Sequence, residues 1–284
     1  MSELLSKIRN NWKKAAILVS LFFAVFVILF YISNLDLRNT QEKSVEISPE
    51  TAQKIDNKLK EKIGSTDVSH LNYVEWAQVH GLTLADSNFD KDPDNDGLPN
   101  YLEYLHWTDP MEKDSDKDNF TDRQEITNGY DPDAPGDAKP FVEISIKKLG
   151  VTAPMIWSPN AAEESLQKDL QYGVIHYPKT ASPGQPGNLV ISGHSSNYFW
   201  VVGDFNYIFE NLNDLEAGGE VRLKTIQRNG RVIIYHYRVT DKRVTSPDDE
   251  YIFAETPEPT LTLSTCWPLG TNLKRLIVKA ELIK

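Results

Sequence analysis

Between Asp86 and Asp133 the chain carries 15 acidic and 4 basic residues, a difference of −11 that equals the net charge of the whole protein. Carboxylates so crowded repel one another strongly unless a cation lies among them. The stretch is therefore either an unfolded acidic linker or a structure built round metal ions. Spacing decides between them. Asp92-x-Asp94-x-Asp96-Gly97-Leu98, then Asn100 and Glu103, sets oxygens at positions 1, 3, 5, 9 and 12 of a twelve-residue loop, with the Leu98 carbonyl at 7. A second copy lies 22 residues on: Asp114-x-Asp116-x-Asp118-Asn119-Phe120, then Asp122 and Glu125. Such a set suits Ca²⁺, which takes roughly 6–8 oxygen ligands. Gly97 at position 6 permits the sharp turn, and Asn119 is the next best residue for a positive φ. Leu98, Tyr101, Leu102, Phe120 and Ile126 are interleaved apolar residues, which a disordered linker would not carry.

Each copy is followed by an Asp-Pro pair, Asp109-Pro110 and Asp131-Pro132, and the short period leaves no room for a full helix-loop-helix pair per loop. The pattern resembles the thrombospondin type 3 and dockerin-like calcium repeats. That resemblance implies short loops that share ions, with the Asp of the Thr-Asp-Pro step a further ligand. Asn119 in place of Gly, and His106-Trp107 in place of a small residue, depart from it. The expected cofactor is structural Ca²⁺, held by Asp92, Asp94, Asp96, Leu98, Asn100 and Glu103, and by Asp114, Asp116, Asp118, Phe120, Asp122 and Glu125.

Outside that segment 41 − 15 acidic and 30 − 4 basic residues leave 26 of each sign. No basic stripe of the kind nucleic acid requires is present. From Ala15 to Ile32 run 18 residues without a charge or a proline, near the ~20 that a membrane-spanning helix needs. No small-residue cleavage site ends the run. Lys7, Arg9, Lys13 and Lys14 precede it, so the positive-inside bias places the N-terminus in the cytoplasm. A buried helix of a soluble core is the alternative. The expected order is a cytoplasmic tail (1–14), a signal anchor (15–34), a helical stalk (35–85), the calcium module (86–138) and an extracytoplasmic C-terminal domain (139–284).

In the stalk, Ser48-Pro49-Glu50 starts a helix that Gly64 stops, and a second helix is expected from His70 to His80. From Pro140 the texture changes to short β-branched runs between Gly, Pro, Asn and Asp turns, which favours one barrel or sandwich. Short helices are expected around Ala161–Gln167 and Tyr207–Leu212.

The single cysteine, Cys266, cannot form an internal disulfide. It is a buried small hydrophobe, an intermolecular crosslink or a working thiol. It ends one strand, and another begins after Trp267-Pro268-Leu269-Gly270-Thr271. Paired as neighbours, these strands bring Arg275 beside Cys266 on one face, with Cβ atoms about 4.5–5.5 Å apart if directly opposed. A guanidinium there favours the thiolate and steadies a carbonyl oxygen that becomes negative. A thiol also needs an acid/base partner. His194, at the end of an apolar strand, and His176 both compete for that role; His236 lies within a strand and reads as structural.

Thr262-Leu263-Ser264-Thr265-Cys266, with Arg275 nine residues on in Arg-Leu-Ile-Val, resembles the signature of sortases. Gly173-x-x-His176-Tyr177-Pro178, Pro183-Gly184-x-Pro186-Gly187-Asn188 and Ser192-Gly193-His194-Ser195 are similar to the segment leading into the sortase histidine, and VEISIKKLGVTAP to the first strand. The resemblance spans roughly Phe141 to Ile283. It implies a mainly β protein with a closed eight-stranded barrel, in which Cys266 is nucleophile, His194 acid/base and Arg275 oxyanion stabiliser, with Thr265 shaping the substrate groove. It further implies cleavage of an LPXTG-like sorting signal and transfer to an amine, on a cell-wall precursor or a pilin lysine. The other function class is a calcium-dependent surface binding protein with an inactive sortase-like domain; intact Cys266, His194 and Arg275 argue against it. Because the repeats precede the barrel, calcium is expected to stiffen the stalk and not to gate the chemistry.

Overall fold

Alternation along the strands builds the barrel. In β2 (Phe141–Ile146), Val142, Ile144 and Ile146 are fully buried, while Phe141, Glu143 and Ser145 face outward. In β6 (Glu220–Ile226), Val221, Leu223 and Thr225 turn inward in the same rhythm. A period of two is what a half-buried strand imposes. β2 pairs antiparallel with β3 (Val151–Trp157) and with β6. From β3 the sheet continues through β4 (Val174–His176), β5 (Gly187–Ser192), β8 (Pro259–Trp267) and β9 (Lys274–Leu282). β7 (Val232–Thr245) pairs with both β6 and β9, which closes an eight-stranded barrel.

This computed structural model describes residues 49–64, 66–68, 72–83, 85–197, 201 and 203–283. The tail and anchor expected over 1–34 lie outside the described residues. Among the described residues no helix is long and apolar enough to cross a membrane. Residues from Ala52 onward form one compact unit.

The stalk contributes more to that unit than the sequence suggests. α1 (Pro49–Ile63) ends at Gly64, whose φ is +60°, as expected. α2 (Tyr73–Val79) is shorter than the His70–His80 span, because Asn72 and Glu75 close a capping box at its start. Leu59, Tyr73 and Trp76 form a small core with Tyr104 of the acidic module. Between the helices, β1 (Asp67–Val68) adds a ninth strand to the sheet, pairing with Ile234 and Ile233 on the edge of β7 that β9 does not reach. Elsewhere α5 covers Glu163–Asp169, two residues later than expected. The Tyr207–Leu212 helix is replaced by turns leading into a 3₁₀ segment, Leu212–Asp214.

The two acidic copies fold alike. Each loop runs into one seven-residue helix, α3 (Asn100–His106) or α4 (Asp122–Asn128). Asp92 accepts hydrogen bonds from the Asn95 and Gly97 amides at 2.8 and 2.9 Å. Asp114 accepts the equivalent pair, from Lys117 and Asn119, at 2.7 and 2.8 Å. The φ angles also match: Gly97 and Asn119 stand at +96° and +81°.

Candidate active site and acidic loops

Cys266 and Arg275 are directly opposed in the β8–β9 register, as the strand-turn-strand reading requires. Opposed residues of an antiparallel pair project to one face. β5 lies on the other side of β8, parallel to it, with Ser192 opposite Ser264. Two residues further along each chain stand His194 and Cys266. Three hydrogen bonds carry the register past the strand ends. The Gly193 amide donates to Ser264 O at 3.1 Å. Thr265 Oγ1 donates to Gly193 O at 2.7 Å, and Ser195 Oγ to Cys266 O at 2.8 Å. His194, Cys266 and Arg275 thus stand side by side on three neighbouring chain segments.

The supports around them explain the local sequence. A Cβ on Gly193 would sit 2.6 Å from the ring of Phe209, so only glycine fits before the histidine. The Phe209 amide donates to His194 O at 2.9 Å. Cys266 is a half-buried free thiol. The Arg275 guanidinium donates to Asn272 O and Lys274 O at 3.2 and 3.1 Å, which folds it back over the turn beside the thiol. Burial lowers the pKa of His194, and the Glu163 carboxylate from the first turn of α5 partly opposes this. Asn197 Nδ2 lies 3.5 Å from His194 Nε2 and donates to Asn206 Oδ1 at 2.9 Å.

Two other histidines, His176 and His236, are engaged elsewhere. His176 is buried on β4, its Nε2 3.1 Å from Ala181 O and its ring 4.7 Å from that of Trp157. His236 lies 2.8 Å from Glu220 on the outer surface of β6 and β7. Thr265, expected to shape a groove, is 3% exposed and engages its hydroxyl on Gly193, so it ties β8 to the histidine loop.

The acidic loops bring their carboxylates together as expected. One oxygen from each of Asp92, Asp94 and Asp96, and likewise of Asp114, Asp116 and Asp118, lies within 4.8 Å of the others. Glu103 and Glu125 close the loops from below, 0% and 1% exposed. Thr108 Oγ1 donates to Glu103 Oε2, which leaves Glu103 Oε1 buried without a partner. Both Glu125 oxygens are equally unpartnered. Burial and the surrounding carboxylates push Glu103 up to about 10 and Glu125 up to about 8. Leu98 and Phe120 occupy the same turn position, each amide bonded to the aspartate two residues earlier. Asn100 donates its amide nitrogen to Asp86 O and Asn88 O, so its free oxygen is Oδ1. Asp122 is held by Ser115, and burial together with Asp96 and Asp94 of the first loop pushes it up to about 7. It therefore faces both loops. Asp94 Oδ2, Asp116 Oδ2, Glu103 Oε1 and both Glu125 oxygens are buried without a partner, and carboxylate oxygens so placed fit a hard divalent cation.

Ser195, Glu163, Asn197 and Asn206 were not anticipated from sequence. Ser195 adjoins the histidine and carries a local signal; Glu163 reaches the site only because α5 packs there.

The family model described as Sortase domain matches residues 144–283. The chain is similar to Sortase D of Bacillus subtilis (strain 168), 27% identical over 164 residues that cover 56% of this chain and 71% of the relative. Among solved structures it is similar to a Clostridium perfringens Sortase D5 transpeptidase, at 27% identity, TM-score 0.41, covering 60% of this chain and 94% of that one. It is also similar to sortase C-1 from Actinomyces oris, at 24% identity, TM-score 0.41, covering 50% and 73%.

Proposed function

We propose that this protein is an extracytoplasmic, membrane-anchored cysteine transpeptidase that cleaves an LPXTG-like sorting signal and transfers the acyl part to an amine. The observation that carries the reading is the placement of Arg275 directly across from Cys266, with His194 fastened to the same strand end. The Cys266 thiolate attacks the scissile carbonyl and forms a C–S bond. The carbonyl oxygen becomes negative beside the Arg275 guanidinium, whose charge and donors steady it. His194 gives its proton to the departing amine as the C–N bond breaks, leaving an acyl-thioester on Cys266. An incoming amine then attacks the thioester, loses its proton to His194 and releases the thiolate. The acceptor is a cell-wall precursor amine or a pilin lysine. The segment 15–34 holds the enzyme in the membrane with the barrel outside, where such substrates emerge.

The acidic loops, in this reading, bind Ca²⁺ as a structural ion. Asp92, Asp94, Asp96 and Glu103 would hold one ion, and Asp114, Asp116, Asp118 and Glu125 another, with Asp122 between them. Supporting this are the unpartnered oxygens of Glu103 and Glu125, since a buried, unpaired carboxylate costs several kcal/mol, on the order of the desolvation penalty of one ion.

The test is a single turnover. The chain is incubated with a panel of LPXTG-type peptides and its intact mass is measured. A thioester adduct on Cys266, absent in Cys266→Ala, is the expected result. No adduct and no cleavage across the panel would end the enzyme reading.

A further inference from the structure

The acidic module is plugged into one end of the barrel through the hairpin that joins β6 to β7. Arg231, in that hairpin, is 0% exposed. Its Nε donates to Leu105 O at 3.2 Å and its Nη2 to Tyr104 O at 2.6 Å. The guanidinium also lies 4.7 Å above the Tyr104 ring and 4.9 Å from that of Trp107. These carbonyls belong to the last turn of α3, where a cation completes acceptors that the helix leaves open. Leu105 is itself part of the barrel's hydrophobic core. The second repeat adds its own contact: Asp131 accepts a hydrogen bond from the Arg228 amide at 2.6 Å. At Gly129 a Cβ would meet Ser182 Oγ at 2.3 Å, so that joint is closed without a gap.

α3 therefore has two masters. Glu103, in its first turn, faces the carboxylates of the first loop; Tyr104 and Leu105, immediately after, receive the barrel arginine. We infer that cation occupancy of the loops is transmitted to the barrel through Arg231, so that the module acts as a cation-dependent plug for the catalytic domain. The inference rests on the reading of the loops as calcium sites. Without the ion, Glu103 and the three aspartates repel, α3 loosens, and a buried guanidinium loses its acceptors. Leaving such a group unpaired is costly, so the hairpin opens with the loop. The coupling is reciprocal: a barrel that holds α3 in place raises the cation affinity by the same factor. The hairpin lies at the end of β7 opposite to Thr245, the residue paired with Arg275. The ion therefore acts on barrel stability and leaves the geometry of the reacting groups alone.

Hydrogen exchange on the detergent-solubilised full chain tests this, with CaCl₂ against EDTA. Amides of 92–103 and 114–125 report cation binding; amides of 226–233 report the hairpin. The expected result is slower exchange in both sets with calcium, by about tenfold or more at the hairpin, a factor usual for coupled sites. Arg231→Lys, which keeps the charge and loses the two-pronged contact, is expected to remove most of the hairpin response while the loops still respond. Loops that respond beside an indifferent hairpin, or a full hairpin response in Arg231→Lys, would overturn the inference and leave the calcium reading standing. No response in either set would remove the calcium reading and the inference with it. Should Arg231→Lys not fold, Glu103→Gln serves: it keeps Arg231, and a hairpin still protected by calcium in that variant overturns the coupling.

Discussion

Ser195 Oγ donates to the carbonyl oxygen of Cys266 at 2.8 Å, so the loop that carries His194 is pinned to the backbone of Cys266 itself. Ser195 is 1% exposed, so the bond is largely shielded from solvent. Removing one such bond costs about 1 kcal/mol. Ser195→Ala is therefore expected to lower kcat/KM about fivefold by loosening His194 against Cys266. Ser195→Thr, which keeps the hydroxyl, is expected to recover part of the loss. Equal kinetics for all three proteins would show that the bond does not position the histidine.

In the proposed reaction Arg275 supplies a planar, charged fork to the developing oxyanion. Deleting a donor of that kind costs roughly 10²–10³ in kcat. Arg275→Ala is expected to fall in that range, and Arg275→Lys to recover little, because a point charge cannot reproduce two donors. Since the side chain is half-exposed, melting temperature should barely move in either variant. Steady-state kinetics beside thermal melts separate the two effects.

The environment of His194 makes a pH statement. Burial lowers its pKa below the ordinary histidine value of 6.5. The folded protein then binds fewer protons at this site than the unfolded chain does below pH 6.5. Stability from this group is present above 6.5 and is lost as the pH falls through the lowered folded value. The acid limb of the kcat/KM profile should lie below 6.5, and Glu163→Gln should move it lower still, because that carboxylate favours the charged ring. Proton NMR of the imidazole reads the same titration directly. A midpoint at or above 6.5 would contradict this description of the site.

Asn119 holds φ +81° where the first loop has glycine. A left-handed backbone at a residue with a Cβ carries strain that glycine relieves. Asn119→Gly is expected to tighten calcium in the second loop severalfold, as measured by calorimetry, and to leave the first loop unchanged. A weaker second site in the variant would mean that the Asn119 side chain, whose Nδ2 donates to Asp118 O, outweighs the strain.

How much of this could be seen in the residues alone depends on range. The period-two runs fixed the strands, and the short link between Cys266 and Arg275 was enough to foresee their pairing. The repeated aspartates dictated two matching loops, because each carboxylate caps amides two to five residues away. Choosing His194 over His176 needed β5 to lie beside β8, a contact between segments 72 residues apart that no local pattern encodes. Resemblance supplied it. Nothing local marks Arg231, since its acceptors sit over 120 residues upstream. β1 has only two residues and carries no periodicity. The resemblance gave Thr265 a part in shaping a groove; that its hydroxyl donates to Gly193 O, 72 residues upstream, no local pattern encodes.

β1 has a consequence for what happens when the chain is cut. Asp67 and Val68 cover the stretch of β7 at Ile233 and Ile234 that β9 leaves open. A barrel cut free by a protease acting between the module and β2 would carry a bare strand edge there, a template for pairing with another chain. Such a fragment is expected to self-associate through that edge, while the intact chain keeps the edge occupied with two residues of its own stalk.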